Sequence, residues 1–334
     1  MLAFTARNHK LASNSKPPPR LRRGWALLRV RLAGICNTDL EILRGYHNFR
    51  GTPGHEFVGE VAEVRGVSTA TKEKWLGRRV CGEINVSCAA YGFKPICSFC
   101  KLGWKTHCAR RTVLGIVNHD GAFAEYLALP LENLHLVPDS ISDEQAVFVE
   151  PLAAACAILD QVRAKEFHSV AVHGDGKLAQ LVARVLKTAV PRVVMYGKHS
   201  EKLAFARRAG IGTKKVRGNA SDWKRSKDSS ALLVEATGSP TGLAMALQMT
   251  EPRGTVVLKS TFHGAASVET WPIVVKEITM VGSRCGPFAK AIALLRSGAV
   301  DPTPLIRRTF PLAQAQKAIV FAQKPGVMKV LLKP

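Results

Sequence analysis

The chain has 334 residues, 46% hydrophobic and 22% charged, with 48 Lys and Arg against 25 Asp and Glu and a formal net charge of +23. That length allows two domains with substantial cores, and the composition excludes wholesale disorder. Apolar runs are too short or too interrupted to cross a bilayer, since Glu150 and Pro151 break even the stretch from Ala146 to Leu159, and this excludes an integral membrane protein.

Residues 1–24 show no clear pattern, and Pro17-Pro18-Pro19 imposes an extended, polyproline-like segment. Trp25 to Leu32 reads as a strand. It leads into Ala33-Gly34-Ile35-Cys36-Asn37-Thr38-Asp39-Leu40 and, after a basic loop, Thr52-Pro53-Gly54-His55-Glu56-Phe57-Val58-Gly59. The thiolate, imidazole and carboxylate of Cys36, His55 and Glu56 are the ligand mix that suits zinc, and three protein ligands leave a position open for substrate. A buried cysteine beside an unrelated His-Glu pair is the plainer alternative. Tyr46, His47, Phe49 and Arg50, between the ligands, are candidates to line a pocket. Phe57 to Val64 reads as a half-buried strand and Gly77 to Gly82 turns into another, so a small, irregular β domain is expected.

Cys88, Cys97, Cys100 and Cys108 follow with the spacing C-x8-C-x2-C-x7-C, as in a closed four-thiolate zinc site that holds a loop; free surface thiols are the alternative. Leu114 to Ile116, Gly121 to Tyr126 and Leu134 to Pro138 return to strand character. Ser142-x-x-Gln145 is a capping box that opens a helix at Asp143. Pro151 suits the first turn of a helix running to about Arg163. Glu150 sits at that junction, either as a simple helix-start acid or as a carboxylate able to reach a metal.

His168 to His173 reads as a strand, followed by Gly174-Asp175-Gly176-Lys177-Leu178-Ala179 and a helix to Lys187. This is the dinucleotide fingerprint in its required context, with Gly174 for the turn, Gly176 for the pyrophosphate and Ala179 for close packing, and Lys177 and Leu178 opening the helix on which the pyrophosphate rests. The next strand, Arg192 to Tyr196, should end in an acid for the ribose hydroxyls. Gly197 stands there instead, followed by Lys198 and His199, which predicts a preference for NADP(H) over NAD(H). Strands at Ala231 to Glu235, Gly254 to Lys259 and Glu277 to Arg284, with a helix from Thr241 to Met249, continue a βα rhythm that implies a parallel sheet covered on both faces.

Cys36-x-Thr38-Asp39 with Gly54-His55-Glu56-x-x-Gly59 resembles the catalytic-zinc signature of the zinc-dependent medium-chain alcohol dehydrogenases, especially the sorbitol and threonine dehydrogenase branch. The likeness runs, with gaps, from about Trp25 to the C-terminus. It implies an α/β protein with a GroES-like β-rich catalytic domain at 1–148, a zinc lobe at 85–110, a Rossmann doubly wound parallel-sheet domain at 149–285, and a return segment at 286–334. By resemblance Cys36 and His55 are zinc ligands, Glu56 is a ligand or stands just behind one, Glu150 occupies the remaining carboxylate position, and Thr38 passes the substrate proton outward. Thr237, Gly238 and Arg284 lie beside the nicotinamide. The family usually spaces its first two lobe cysteines by two residues, so Ala89 to Ile96 is an enlarged loop and Cys88 the ligand it affects. Many relatives carry a relay histidine where this chain has Glu41, which either takes that role or orients a substrate hydroxyl.

The function expected is hydride transfer between an alcohol (a polyol, sugar alcohol or amino alcohol) and NAD(P), with one catalytic and one structural zinc. A zinc-free reductase and a basic nucleic-acid-binding protein on a vestigial enzyme fold are the rivals. The cations fall in scattered pairs such as Arg78-Arg79 and Arg207-Arg208, without the aromatic interleaving of stacking platforms, so a solvated basic surface is expected rather than a nucleic-acid partner. The partners expected are a small-molecule alcohol or carbonyl and, as in relatives, one or three further copies of the chain. No acid precedes Asp39, which superficially resembles an organelle transit peptide, yet the strand at Trp25 leaves little room for a leader; a cytoplasmic location is expected. Eight cysteines without a secretory signal read as metal ligands before disulfides.

Overall fold

Alternating burial along Trp25–Gly34, with Ala26, Leu28, Val30 and Leu32 turned inward, makes it the central strand of a sheet. The computed structural model describes residues 1–216, 229–261 and 264–334. The chain divides into a first unit, Met1–Glu150 with Ala291–Pro334, and a second, Pro151–Lys290. Both boundaries fall a few residues later than the expected 148/149 and 285/286.

In the first unit the sheet order is Ile306–Pro311, Lys329–Lys333, Trp25–Gly34, Glu56–Arg65, Arg79–Gly82 and Leu134–Leu136, with Tyr126–Pro130 also paired to the central strand. The return segment therefore supplies two strands to the sheet that carries the Cys36 and His55 stretches. Leu28, Val58, Val80, Leu129 and Leu331 fill its core with 0% exposure, each contributing about 1.5–3 kcal/mol.

Two stretches differ from expectation. Residues 1–24 are not merely extended: Leu2–Arg7 and Lys10–Ser15 form a hairpin turning at Asn8 and His9, both with positive φ. This hairpin grips the loop ahead of His55, through Ala6 N–H to the Gly51 carbonyl at 2.8 Å and Lys16 Nζ to Thr52 Oγ1 at 2.8 Å. Leu114 to Ile116 and Gly121 to Glu125 form no ladder strand; they run as an irregular loop against the turn at Gly54, where Ala122 N–H donates to the Gly54 carbonyl at 2.9 Å.

The second unit holds six parallel strands in the order Gly212–Lys215, Arg192–Gly197, Ser169–His173, Ser230–Glu235, Thr250–Leu258, Thr279–Gly282. Counted along the chain that is 3-2-1-4-5-6, the doubly wound dinucleotide-binding order, whose ligand crevice opens at the carboxyl ends of the first and fourth strands. Gly174 and Ala236 begin the loops there, joined by the Ala236 N–H to His173 carbonyl bond at 2.8 Å. The helix bearing Glu150 starts at Val149, two residues before the proline expected to open it, and runs to Gln161.

Candidate metal centres and dinucleotide site

Cys36, His55 and Glu56 each bring one donor atom within 4.8 Å of the others. Cys36 directly precedes the short helix Asn37–Ile42, and Glu56 opens the strand Glu56–Arg65 directly opposite Gly34. A Cβ at Gly34 would come within 2.5 Å of Glu56 Oε2, so glycine there leaves the carboxylate its place. Asp39, 1% exposed, ties the two ligand stretches together. Its Oδ2 accepts from Cys36 N–H at 2.8 Å, its Oδ1 accepts from Gly54 N–H at 3.1 Å, and Oδ1 lies 3.4 Å from His55 Nδ1. That last contact is close but not aligned, for His55 Nδ1 makes no hydrogen bond.

Behind the donors, the Lys329 ammonium pairs with Glu56 Oε2, both side chains being 2% exposed, and lies 5.3 Å over the Phe148 ring. Ionised, Cys36, Asp39 and Glu56 carry three negative charges against one positive on Lys329, a deficit that a divalent cation fills. The titration of the neighbours reports the same field. Burial works against charge on His55, but Asp39 and Cys36 outweigh it and hold its pKa well above the usual value. Burial likewise opposes charge on Lys329, and Glu56, then Cys36, raise its pKa nonetheless. The donor chemistry and the negative pocket fit zinc.

Glu150 lies outside this three-donor group, in the first turn of its helix. Thr38 Oγ1 is 3.8 Å from Cys36 Sγ, at the edge of the pocket and half-buried. Glu41 accepts from Arg44 Nη1 at 2.7 Å, so any role as a proton relay competes with that ion pair. Phe49 is buried, whereas His47 and Arg50 are exposed.

Cys88, Cys97, Cys100 and Cys108 converge in a second cluster. The Cys88–Cys100 and Cys97–Cys108 sulfurs are 3.6 and 3.8 Å apart. Corners of a tetrahedron with zinc–sulfur bonds of about 2.3 Å lie about 3.8 Å apart. The enlarged loop reaches this geometry by turning at once: Gly92 N–H donates to the Ala89 carbonyl and Phe93 N–H to that of Cys88, which leaves Cys88 beside its partners. Backbone N–H groups, first that of Cys100, pull the Cys97 thiol down to about 6, while burial and the adjacent sulfurs push Cys100 up to about 12. Four thiolates cannot share this space unless a cation neutralises them, so the cluster fits a structural zinc.

In the second unit, Gly174 has φ +126°, and a Cβ there would lie 2.7 Å from the Ala236 carbonyl carbon. A Cβ at Gly176 would meet nothing within 4 Å. That opening lies at the N-terminus of the helix Lys177–Lys187, where a pyrophosphate fits, and Ala179 is fully buried against the sheet. Lys177 and Leu178 are half-buried in the first turn; Lys198, His199 and Arg284 are exposed. Thr237 N–H and Oγ1 both donate to Glu235 Oε1, at 2.8 and 2.6 Å, and Gly238 N–H donates to Ser260 Oγ at 2.8 Å.

The expected NADP(H) preference rests on Gly197 at the strand end, where the structure brings up a carboxylate from another element. The Asp175 side chain lies against Gly197, where a Cβ would be 2.6 Å from Asp175 Cβ and Oδ2. Asp39, Asp175 and Lys329 are the residues to which sequence reasoning gave no role. Each left a signal: a capping-box spacing from Cys36, an acid between fingerprint glycines, and a lone charge in the apolar run Val327 to Leu332.

Residues 22–139 match the family model for the alcohol dehydrogenase GroES-like domain, and residues 176–297 that for zinc-binding dehydrogenase. The chain is 30% identical to the starvation-sensing protein RspB of Escherichia coli K12, over 97% of this chain and 96% of that one. It is 28% identical to the erythritol/L-threitol dehydrogenase of Mycolicibacterium smegmatis, covering 95% and 92%. The crystal structure of the alcohol dehydrogenase rspB from E. coli CFT073, complexed with NADH, superposes with a TM-score of 0.88 at 28% identity, covering 100% and 99%. Agreement in both units, in order and over nearly the whole length, means that the chain belongs to the zinc-dependent medium-chain alcohol dehydrogenases, oxidoreductases that work with NAD(P).

Proposed function

We propose that the chain interconverts a polyol, sugar alcohol or amino alcohol and the corresponding carbonyl compound, using NAD(P) and a zinc ion held by Cys36, His55 and Glu56. The observation that carries this reading is the convergence of those three donors on a negative pocket tied together by Asp39. The likeness to an erythritol/L-threitol dehydrogenase supports the substrate class. When bound, zinc polarises the substrate oxygen and the nicotinamide takes up the hydride.

The chain's own groups do the rest. Asp39 fixes the approach of the Cys36 and His55 stretches. Lys329 pairs with Glu56 and aims it, so the carboxylate serves as a ligand or as a counter-charge just behind one. Thr38, beside Cys36, accepts the proton that leaves the substrate hydroxyl and passes it outward. Cys88, Cys97, Cys100 and Cys108 hold a second, structural zinc. Gly174, Gly176 and Ala179 seat the dinucleotide on its helix, and Thr237, Gly238 and Arg284 lie toward the nicotinamide end. With Asp175 beside Gly197 and bonded to His199, Lys198 is the side chain left to favour NADP(H).

Eight cysteines, none of them in a disulfide, support work in a reducing cytoplasm. A cofactor-reduction screen over a panel of alcohols, run beside metal analysis, tests the whole reading. Two zinc ions per chain are expected, with activity on vicinal diols or amino alcohols that is lost in Cys36→Ala. Undiminished turnover by metal-free protein would transfer the case to a zinc-free reductase.

A further inference from the structure

At the end of the strand Arg192–Gly197 the backbone turns toward the place where a dinucleotide-binding sheet grips the adenosine ribose, and Gly197 has no side chain to offer. The glycine is not a neutral replacement. A Cβ at this position would lie 2.6 Å from both Cβ and Oδ2 of Asp175 and 2.9 Å from its Cγ, so any side chain at 197 and the present one at 175 exclude each other. The acid has moved rather than vanished, from the strand end to the middle of the glycine turn.

We infer that Asp175 supplies the ribose-hydroxyl acceptor that Gly197 lacks, and that the chain therefore prefers NAD(H) to NADP(H). This rests on the dehydrogenase reading given above. Asp175 is 7% exposed and held in one place, since Oδ2 accepts from His199 N–H at 2.8 Å and the carboxylate from His199 Nδ1 at 3.0 and 3.1 Å. Gly174 N–H donates to the Tyr196 carbonyl at 2.8 Å, fastening the turn that carries Asp175 to the strand it serves. An ionised carboxylate accepts at about four lone-pair sites. His199 uses two or three of them, leaving acceptor capacity for a ribose hydroxyl. A 2′-phosphate would meet this carboxylate as a like charge in a nearly buried setting, which disfavours it strongly. His199, with a side chain 52% exposed, is spent on Asp175 instead of standing ready for a phosphate.

Direct titration with NADH and with NADPH, followed by nicotinamide fluorescence, reads both dissociation constants on the zinc-loaded protein. Wild type should bind NADH roughly 10- to 100-fold more tightly than NADPH, the range for hydrogen bonds to a charged acceptor. Asp175→Gly should lose most of that ratio, as should Asp175→Asn, which keeps the shape and removes the charge. The double variant Asp175→Gly with Gly197→Asp returns the acid to the strand end and should restore it. The ratio within one variant is insensitive to partial misfolding, which weakens both ligands together. A wild-type preference for NADPH, or a ratio that Asp175→Asn and Asp175→Gly leave unchanged, overturns the inference while leaving the dehydrogenase reading intact. Binding of neither cofactor by wild type would overturn that reading, and this inference with it.

Discussion

Lys329 shows how much depends on a single side chain in the metal pocket. Its ammonium is buried with the Glu56 carboxylate, and removing one partner of such a pair leaves the other as an uncompensated charge. Lys329→Met should destabilise the zinc-loaded protein by about 3–5 kcal/mol, while Lys329→Met with Glu56→Gln regains most of the loss. Urea unfolding compares them, and equal losses in the single and double variants would deny the pair its importance. His173, at the end of the first strand of the dinucleotide sheet, has the opposite problem. Burial, reinforced by Lys198, lowers its pKa from 6.5 to about 4, and its Nδ1 has no hydrogen-bond partner. Between those values the unfolded chain binds the proton that the folded chain refuses. Stability from this residue is therefore complete above about pH 6.5 and falls as the pH drops toward about 4. A fall from 6.5 to about 4 corresponds to about 3 kcal/mol. Denaturation measured across that window should show the decline, and His173→Gln should flatten it.

Among the elements, the cysteine lobe makes the sharpest prediction. It is built from turns and two single-turn helices, Ser98–Lys101 and Lys105–His107, which cannot hold a fold by themselves. Cys100→Ser should release one zinc per chain and open residues 88–108 to proteolysis, with the dinucleotide unit still binding NADH. Metal analysis and peptide mapping would show it, and an intact lobe with one zinc fewer would count against the structural role. The lobe was legible because four like donors at close spacing have few other uses. The parallel sheet was legible because its βα repeats and glycine turn obey local rules. The N-terminal hairpin was not, since Lys10–Ser15 turns only Leu11 inward and is held by long-range bonds such as that from Lys16 to Thr52. Residues 114–125 misled for a similar reason: they are held by bonds to the Gly54 turn and to Leu2 and Phe4 of the N-terminal hairpin, with an isolated bridge from Ala124 to Ala3, not by a continuous ladder. At position 197 sequence order hides that the side chain of residue 175 lies in the space beside it.

For the molecule as a whole, two surfaces invite measurement. The strand Thr279–Gly282 forms one edge of the dinucleotide sheet, with Met280 partly exposed, and the preceding helix Trp271–Val275 leaves Val274 and Val275 more than 70% exposed. An edge unpaired among the described residues, near exposed apolar side chains, would be covered by a second copy meeting it edge to edge. Light scattering should find a dimer or a larger even assembly, and Val275→Asp should shift it to monomer. The excess of positive charge should draw oligonucleotides only at low ionic strength, without sequence preference, and release them at physiological salt. Retention there would revive a polyanion partner. The Glu56–Lys329 pair also has a bearing on how the protein is made. Because its members stand 273 positions apart, a nascent polypeptide exposes an unbalanced acid at its metal pocket until Lys329 has been added. The pocket gains this partner only when the strand Lys329–Lys333 has been made, so polypeptides stalled before that strand should be caught by proteases in the apo state.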